Sequence, residues 1–154
     1  DLLAGQKRGA CVGPTKRGTG TKIMAVVDGH GLPLAATVHS ASPAEVTLAP
    51  AVFTRIPSKR RPRRVIGDKA YDCDALRAWF QEEYGVELIA PNRRNRHKTQ
   101  DGRPLRRYRR RWKVERIFAW LGNFRRIVVR WERHVHNYLG FVTLACIVVL
   151  LRHL

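Results

Sequence analysis

Two apolar runs on either side of one tight turn constrain this chain most. Lys22-Ile-Met-Ala-Val-Val-Asp28 and Leu32-Pro-Leu-Ala-Ala-Thr-Val-His39 have strand composition, and Gly29-His30-Gly31 between them has turn chemistry. The pair reads as a β-hairpin, with Asp28 a turn residue at its tip.

Beyond the hairpin, helix and strand signals alternate. Ser42-Pro43-Ala44-Glu45 combines a capping box with proline at the first helical position, which predicts a helix from Pro43 to about Arg55. Residues 57 to 64 form a basic loop, and Arg64-Val-Ile-Gly-Asp68 is a short strand ending at a carboxylate. A helix from Asp72 to Tyr84 closes on Gly85, and Val86-Glu-Leu-Ile-Ala90 is a strand stopped by Pro91. A basic linker over 92–107 leads to two helices, about Tyr108 to Val129 and Asn137 to Arg152. Residues 1–20 read as loop. The order β-β-α-β-α-β, then α-α, predicts an α/β fold: a mixed sheet in which the hairpin adjoins the strands at 64–68 and 86–90, helices on its faces, and C-terminal helices beyond. A length of 154 residues suits one domain.

Thirty Lys and Arg against 12 Asp and Glu give a net charge of +18, which points to a polyanionic partner: DNA, RNA or an acidic membrane surface. The apolar run from Tyr138 to Leu151 is shorter than the roughly 18–20 residues of a membrane span and reads as a buried helix. Cys11, Cys73 and Cys146 are too scattered for a disulfide framework or a zinc site, and His134 and His136 read as surface histidines.

Residues 91–134 hold 16 Lys and Arg but only three acids, Asp101, Glu115 and Glu132. Acids in so basic a stretch need a reason to be there. Asp68 stands at the carboxyl end of a strand, where α/β sheets bind ligands, although from position alone the reading as a polar loop residue or helix cap comes first. Glu115 lies on the predicted helix. Projected at about 100° per residue, Val114, Ile117, Phe118, Leu121, Phe124 and Val128 form one apolar stripe. Tyr108, Arg111 and Glu115 share a second, narrow face that Gly122 leaves open. Alone, Glu115 reads as a solvated residue paired with Arg111 at i−4.

The wider pattern resembles a known family. Tyr108-x2-Arg111-x3-Glu115 matches the signature of bacterial insertion-sequence transposases of the DDE type. Val65-Ile-Gly-Asp68-Lys-Ala-Tyr-Asp72 is similar to the segment around that family's second catalytic aspartate. Thr15–Lys22, Leu88–Asn95, Val114–Leu121 and Asn123–Arg126 look like the same family, so the resemblance covers nearly the whole chain. It implies an RNase H-like fold, DNA as substrate, and two divalent metals, Mg²⁺ or Mn²⁺, because phosphodiester transfer by two metals needs converging hard oxygen ligands. It assigns Asp68 and Glu115 as catalytic, metal-holding carboxylates. The first catalytic aspartate belongs to a strand ahead of the hairpin, and Asp1 is the candidate. Tyr108, Arg111, Lys113, Arg93, Arg94, Arg125 and Arg126 are the expected DNA contacts.

Two departures stand out. The family pattern continues E-x6-K, and here that position is Gly122, so its DNA contact is lost or passes to Arg125 or Arg126. The family's first strand and its N-terminal DNA-binding segment are expected to lie outside this chain, which is otherwise read as one catalytic domain over 1–154. The resemblance further implies element ends and target DNA as partners, a homodimer in the active complex, no membrane, and a cytoplasmic setting. The alternative is an inactive transposase remnant that only binds DNA. A basic RNA-binding structural protein would explain the charge, but not Asp68, Glu115 and the strand-helix order.

Overall fold

A computed structural model of the chain describes residues 2–5, 9–16, 18–97 and 99–154. In chain order come β1 (Leu2–Gly5), β2 (Gly13–Thr15), β3 (Gly18–Val27), β4 (Pro33–Ser40), α1 (Glu45–Phe53), β5 (Arg64–Ile66), α2 (Asp74–Tyr84), β6 (Glu87–Ile89), α3 (Gly102–Leu105), α4 (Trp112–Leu121), α5 (Arg125–Val128) and α6 (Val135–Leu151). Short 3₁₀ turns cover Ser58–Arg60, Lys69–Tyr71 and Arg106–Arg110. The chain divides into two compact units. One comprises the residues up to Ile56 together with Lys113–Leu154, and the other is Pro57–Trp112.

The first unit is built on the expected hairpin. Ile23 pairs with Val38 and Met24 with Thr37 across β3 and β4. Neighbouring residues of a strand point to opposite faces. Ile23 and Met24 are both buried, so this part of the sheet is covered on both sides, as the consecutive apolar residues require. Ile23 and Val38 join Ile117, Leu121, Ile127, Tyr138, Val142, Ala145 and Val149 in one core, while α1 packs on β3 and β4. Arg130 is buried in this unit. Its Nη1 donates to Thr21 Oγ1 at 2.7 Å, and Thr21 Oγ1 donates in turn to the carbonyl of Cys11 at 2.8 Å. Burial lowers the Arg130 pKa and raises that of Tyr138, whose hydroxyl donates to the Ile127 carbonyl at 2.7 Å.

In the second unit, β5 and β6 pair in parallel, Val65 opposite Leu88, with α2 as the crossover. Leu76, Phe80, Leu88 and Ile89 are buried. Gly85 ends α2 at φ +62°, the left-handed cap that glycine adopts at little cost.

Several expectations need correction. Residues 2–5, 13–15 and 18–20 are strand rather than loop, because β1 and β2 pair antiparallel with β3; the glycines at 5, 13, 18 and 20 conceal the strand pattern. The described strands make two sheets, a four-stranded antiparallel one and the β5–β6 pair, not one mixed sheet. Helix α1 begins at Glu45 with Ala44 as an uncapped, extended N-cap, since the Ser42 hydroxyl bonds Ser40 Oγ instead of the helix. The helix expected over 108–129 is three pieces: a 3₁₀ turn, α4 and α5, broken around Gly122-Asn123. The break resets the register, so Ile127 is buried and Val128 is 41% exposed. No helix among the described residues is long and apolar enough to cross a membrane.

Candidate active site

Asp68 sits one step beyond the β5–β6 ladder. Gly67 N–H extends that ladder by donating to the Ile89 carbonyl at 2.9 Å. A Cβ on Gly67 would lie 2.9 Å from the Tyr71 side chain, so only glycine lets the adjoining turn fold back this closely. Asp68 is exposed and caps the Lys69–Tyr71 turn, its Oδ1 accepting Ala70 N–H at 2.7 Å.

That turn is held from the other side by Arg93. Its Nη2 donates to the Ala70 carbonyl at 2.7 Å, its Nε to the Lys69 carbonyl at 3.2 Å, and its backbone N–H to Asp72 Oδ2 at 2.8 Å. The Asp72 side chain is fully buried. Arg96 Nε lies 2.8 Å from its Oδ2, and Arg77 Nη1 2.9 Å from its Oδ1, an ion pair whose N–H is poorly aimed for a hydrogen bond. Arg96 also donates to Asp74 Oδ1 at 2.8 Å, and this bond together with the two acids raises the Arg96 pKa. A buried carboxylate between two guanidinium groups thus fixes the Cys73-to-Ala90 segment and the start of the basic stretch to the loop that carries Asp68. Asp72 belongs to the sequence motif, but the arginines that answer it at 77 and 96 are not legible from spacing.

Glu115 is exposed in the first turn of α4. Its neighbours Lys113 and Arg116 donate to the carbonyls of Gly29 and His30 in the hairpin turn. Asp28 Oδ1 closes the same turn by accepting the N–H groups of His30 and Leu32 at 2.8 and 2.9 Å, as its turn reading requires. Gly31 has φ +85°, and a Cβ there would lie 2.7 Å from the Arg116 guanidinium.

The other expected residues are spread over the surface of the two units. Arg111 lies over the Tyr108 ring at 5.3 Å, in an exposed ridge with Arg106, Arg107, Arg109 and Arg110. Arg94 is exposed. Arg125 and Arg126 flank a surface groove with Gly122, and Arg126 pairs with Glu132 at 3.1 Å. Arg93 and Lys113, expected as DNA contacts, are engaged with backbone carbonyls. Asp1 lies outside the described residues. Among the described residues no three His, Cys, Asp or Glu side chains gather into a metal site, and the rings of His134 and His136 stack on each other at 5.4 Å. The donor chemistry of Asp68 and Glu115, exposed carboxylate oxygens without nitrogen or sulfur, fits a hard cation such as Mg²⁺ or Mn²⁺.

Residues 3–150 match a family model described as the transposase DDE domain. The chain is 35% identical over 145 residues to a protein of Burkholderia cepacia named as a transposase for insertion sequence element IS402. The match covers 88% of this chain and 65% of that protein, so the chain spans about two thirds of that relative's length. It is 33% identical over 135 residues to one of Brucella ovis named as a transposase for insertion sequence element IS6501, covering 86% of this chain and 98% of that protein. No solved structure matches the chain.

Proposed function

Because the chain belongs to the transposase DDE domain family, we propose that it is the catalytic part of an insertion-element transposase that cleaves and rejoins DNA phosphodiesters on an RNase H-like scaffold. The observation that carries this reading is the pair of exposed carboxylates, Asp68 at a strand end and Glu115 in the first turn of α4, in a chain of net charge +18. A surface meant only to hold phosphates gains nothing from acids there. Asp68 and Glu115, with Asp1 as the third candidate, would hold divalent metal. Bound there, the metal supplies Lewis-acid activation of the attacking oxygen and charge stabilisation of the leaving one.

The chain's own residues do the positioning. Ala70 N–H holds one Asp68 oxygen, and Arg93 holds the turn around it. Lys113 and Arg116 tie the first turn of α4 to the hairpin. Tyr108, Arg111, Arg94, Arg125 and Arg126 offer exposed or half-exposed donors to a phosphate backbone. Element ends and target DNA are the substrates under this reading, two copies act together so that two ends are cut, and the work is cytoplasmic.

The test is nicking of an element-end plasmid with Mn²⁺ by the chain, by Asp68→Ala and by Glu115→Ala. Both substitutions should abolish nicking, while duplex affinity stays within about twofold, because neither removes a cation. Equal nicking by all three proteins sinks the assignment. Salt-dependent duplex binding without nicking in any of them supports the inactive-remnant reading instead.

A further inference from the structure

Helix α6 is apolar all round. Its 17 residues, Val135–Leu151, include no Asp, Glu, Lys or Arg, in a chain of which 27% is charged. A helix of that composition is covered on every side in a folded protein. Here one side is covered: Tyr138, Val142, Ala145 and Val149 are buried in the core. Projected at about 100° per residue, Leu144, Ile147 and Leu151 fall on the opposite side. They are 55%, 45% and 62% exposed. Asn137 and Gly140 continue the same line and are exposed too. Along Asn137, Gly140, Leu144, Ile147 and Leu151 the spacing alternates between three and four residues, the seam by which one helix meets another. On one flank the Arg126 guanidinium lies over the Phe141 ring at 5.7 Å, which bounds the seam there.

We propose that this seam pairs with α6 of a second copy, antiparallel about a two-fold axis that passes between Leu144 and Ile147. Leu144 of each copy then packs on Ile147 of the other, and Leu151 fills the space that Gly140 leaves. A parallel pair would set Gly140 against Gly140 and leave a void that close packing does not tolerate. It would also bring the two Arg152 side chains together, whereas antiparallel helices hold them roughly 20 Å apart along the axis. The chemistry of the face selects this occupant. It offers no cation to a phosphate backbone. It lacks the Lys and Arg that hold a helix at a lipid surface. Two chains of net charge +18 repel each other, so they meet most easily on a face without charge. The inference does not rest on the DNA reading, to which it adds the surface where two copies meet. It is measured without DNA, so either can fail alone.

The test is sedimentation equilibrium of the nucleic-acid-free chain. A single helix pair is a small interface, so the chain should be dimeric at about 100 μM and monomeric at about 0.1 μM. Raising the salt from about 0.1 to 0.5 M should strengthen association, because it screens the repulsion between the copies and leaves the apolar seam intact. Leu144→Lys and Ile147→Glu should each be monomeric, since each would bury a lone charge in the seam. Mixed together they should associate, because the antiparallel register sets the new ammonium of one against the new carboxylate of the other. Circular dichroism checks that each variant folds, and Leu144→Ser keeps the loss of the dimer measurable if a charged variant does not. A parent that is monomeric throughout, or a dimer that both variants leave intact, overturns the inference and leaves the DNA reading standing. Variants that stay monomeric when mixed overturn the antiparallel register. A monomeric parent that binds neutral phospholipid vesicles, with binding lost in Ile147→Glu, assigns the face to a membrane and also overturns the inference.

Discussion

Arg93 Nη2 donates to the carbonyl of Ala70 at 2.7 Å, and the N–H of that same Ala70 is held by Asp68 Oδ1 at 2.7 Å. One residue therefore links a guanidinium from the basic stretch to the carboxylate proposed to hold metal. Arg93 acts on Asp68 through the backbone. Removing it frees the turn and lets Asp68 sample orientations that no longer suit a metal. Arg93→Ala should weaken Mn²⁺ binding by roughly tenfold, the low end for a partner outside the ligand set, and Arg93→Lys should restore little, since one ammonium cannot reach two carbonyls in a fork. Isothermal titration with Mn²⁺, run beside duplex affinity, separates this role from a phosphate contact. A loss of DNA affinity with metal binding intact would place Arg93 on the phosphates instead.

Asp72 is the second brace. Its side chain is fully buried between Arg77 and Arg96. Asp72→Asn keeps the shape but leaves the two guanidinium groups with only the exposed Asp74 as a counter-charge. Arg77 and Arg96 retain some solvent access, which puts the cost at the low end for a broken buried pair, about 3 kcal/mol. Urea unfolding should report that loss. A change below about 0.5 kcal/mol would mean that solvent already screens the cluster.

Legibility followed the physics of each segment. The hairpin, α2 with its Gly85 cap and the strands at 64–66 and 87–89 were readable from apolar runs bounded by turn or terminating residues. Helix α6 was readable as a helix from its long apolar run but not as a buried one, since Leu144, Ile147 and Leu151 are exposed. Strands β1 and β2 were not readable. Their glycines carry no strand signal, and they form only because β3 offers them a ladder. The break around Gly122-Asn123 was hidden because the apolar spacing happens to continue across it, with Val128 in phase and Ile127 out. At the proposed site, the strand-end position of Asp68 and the helical position of Glu115 were legible from their motifs. The engagement of Arg93 and Lys113 with carbonyls was not, because a basic residue in a basic stretch looks the same whether it faces a phosphate or a peptide oxygen.

Gly31 illustrates how the hairpin turn serves Glu115. Its φ of +85° disfavours any side chain, and a Cβ would also press on the Arg116 guanidinium at 2.7 Å. Gly31→Ala should cost about 1–2 kcal/mol from backbone conformation alone, and it should loosen the start of α4. Thermal unfolding gives the first effect. Faster amide exchange over residues 113–117 gives the second, and unchanged exchange there would show that the anchor survives.

His39 gives the stability a pH dependence. Burial is the larger cause, and the charge of Lys22 the smaller, of a pKa below the ordinary histidine value of about 6.5. Lys22 Nζ is fixed close by, donating to the Pro43 carbonyl at 3.0 Å with Glu45 at 4.0 Å, and the His39 ring shares a hydrogen bond of 2.8 Å with Thr37 Oγ1. The sign comes from linkage. With the folded pKa depressed, the unfolded chain binds a proton below about pH 6.5 while the folded chain does not yet do so. Stability is therefore full above that pH and declines as pH falls from it toward the folded pKa, where the decline levels off. His39→Gln keeps a partner for Thr37 and cannot titrate, so its urea midpoint should change less than the parent's between pH 7 and pH 5. Equal changes in the two proteins would assign the acid sensitivity to other groups.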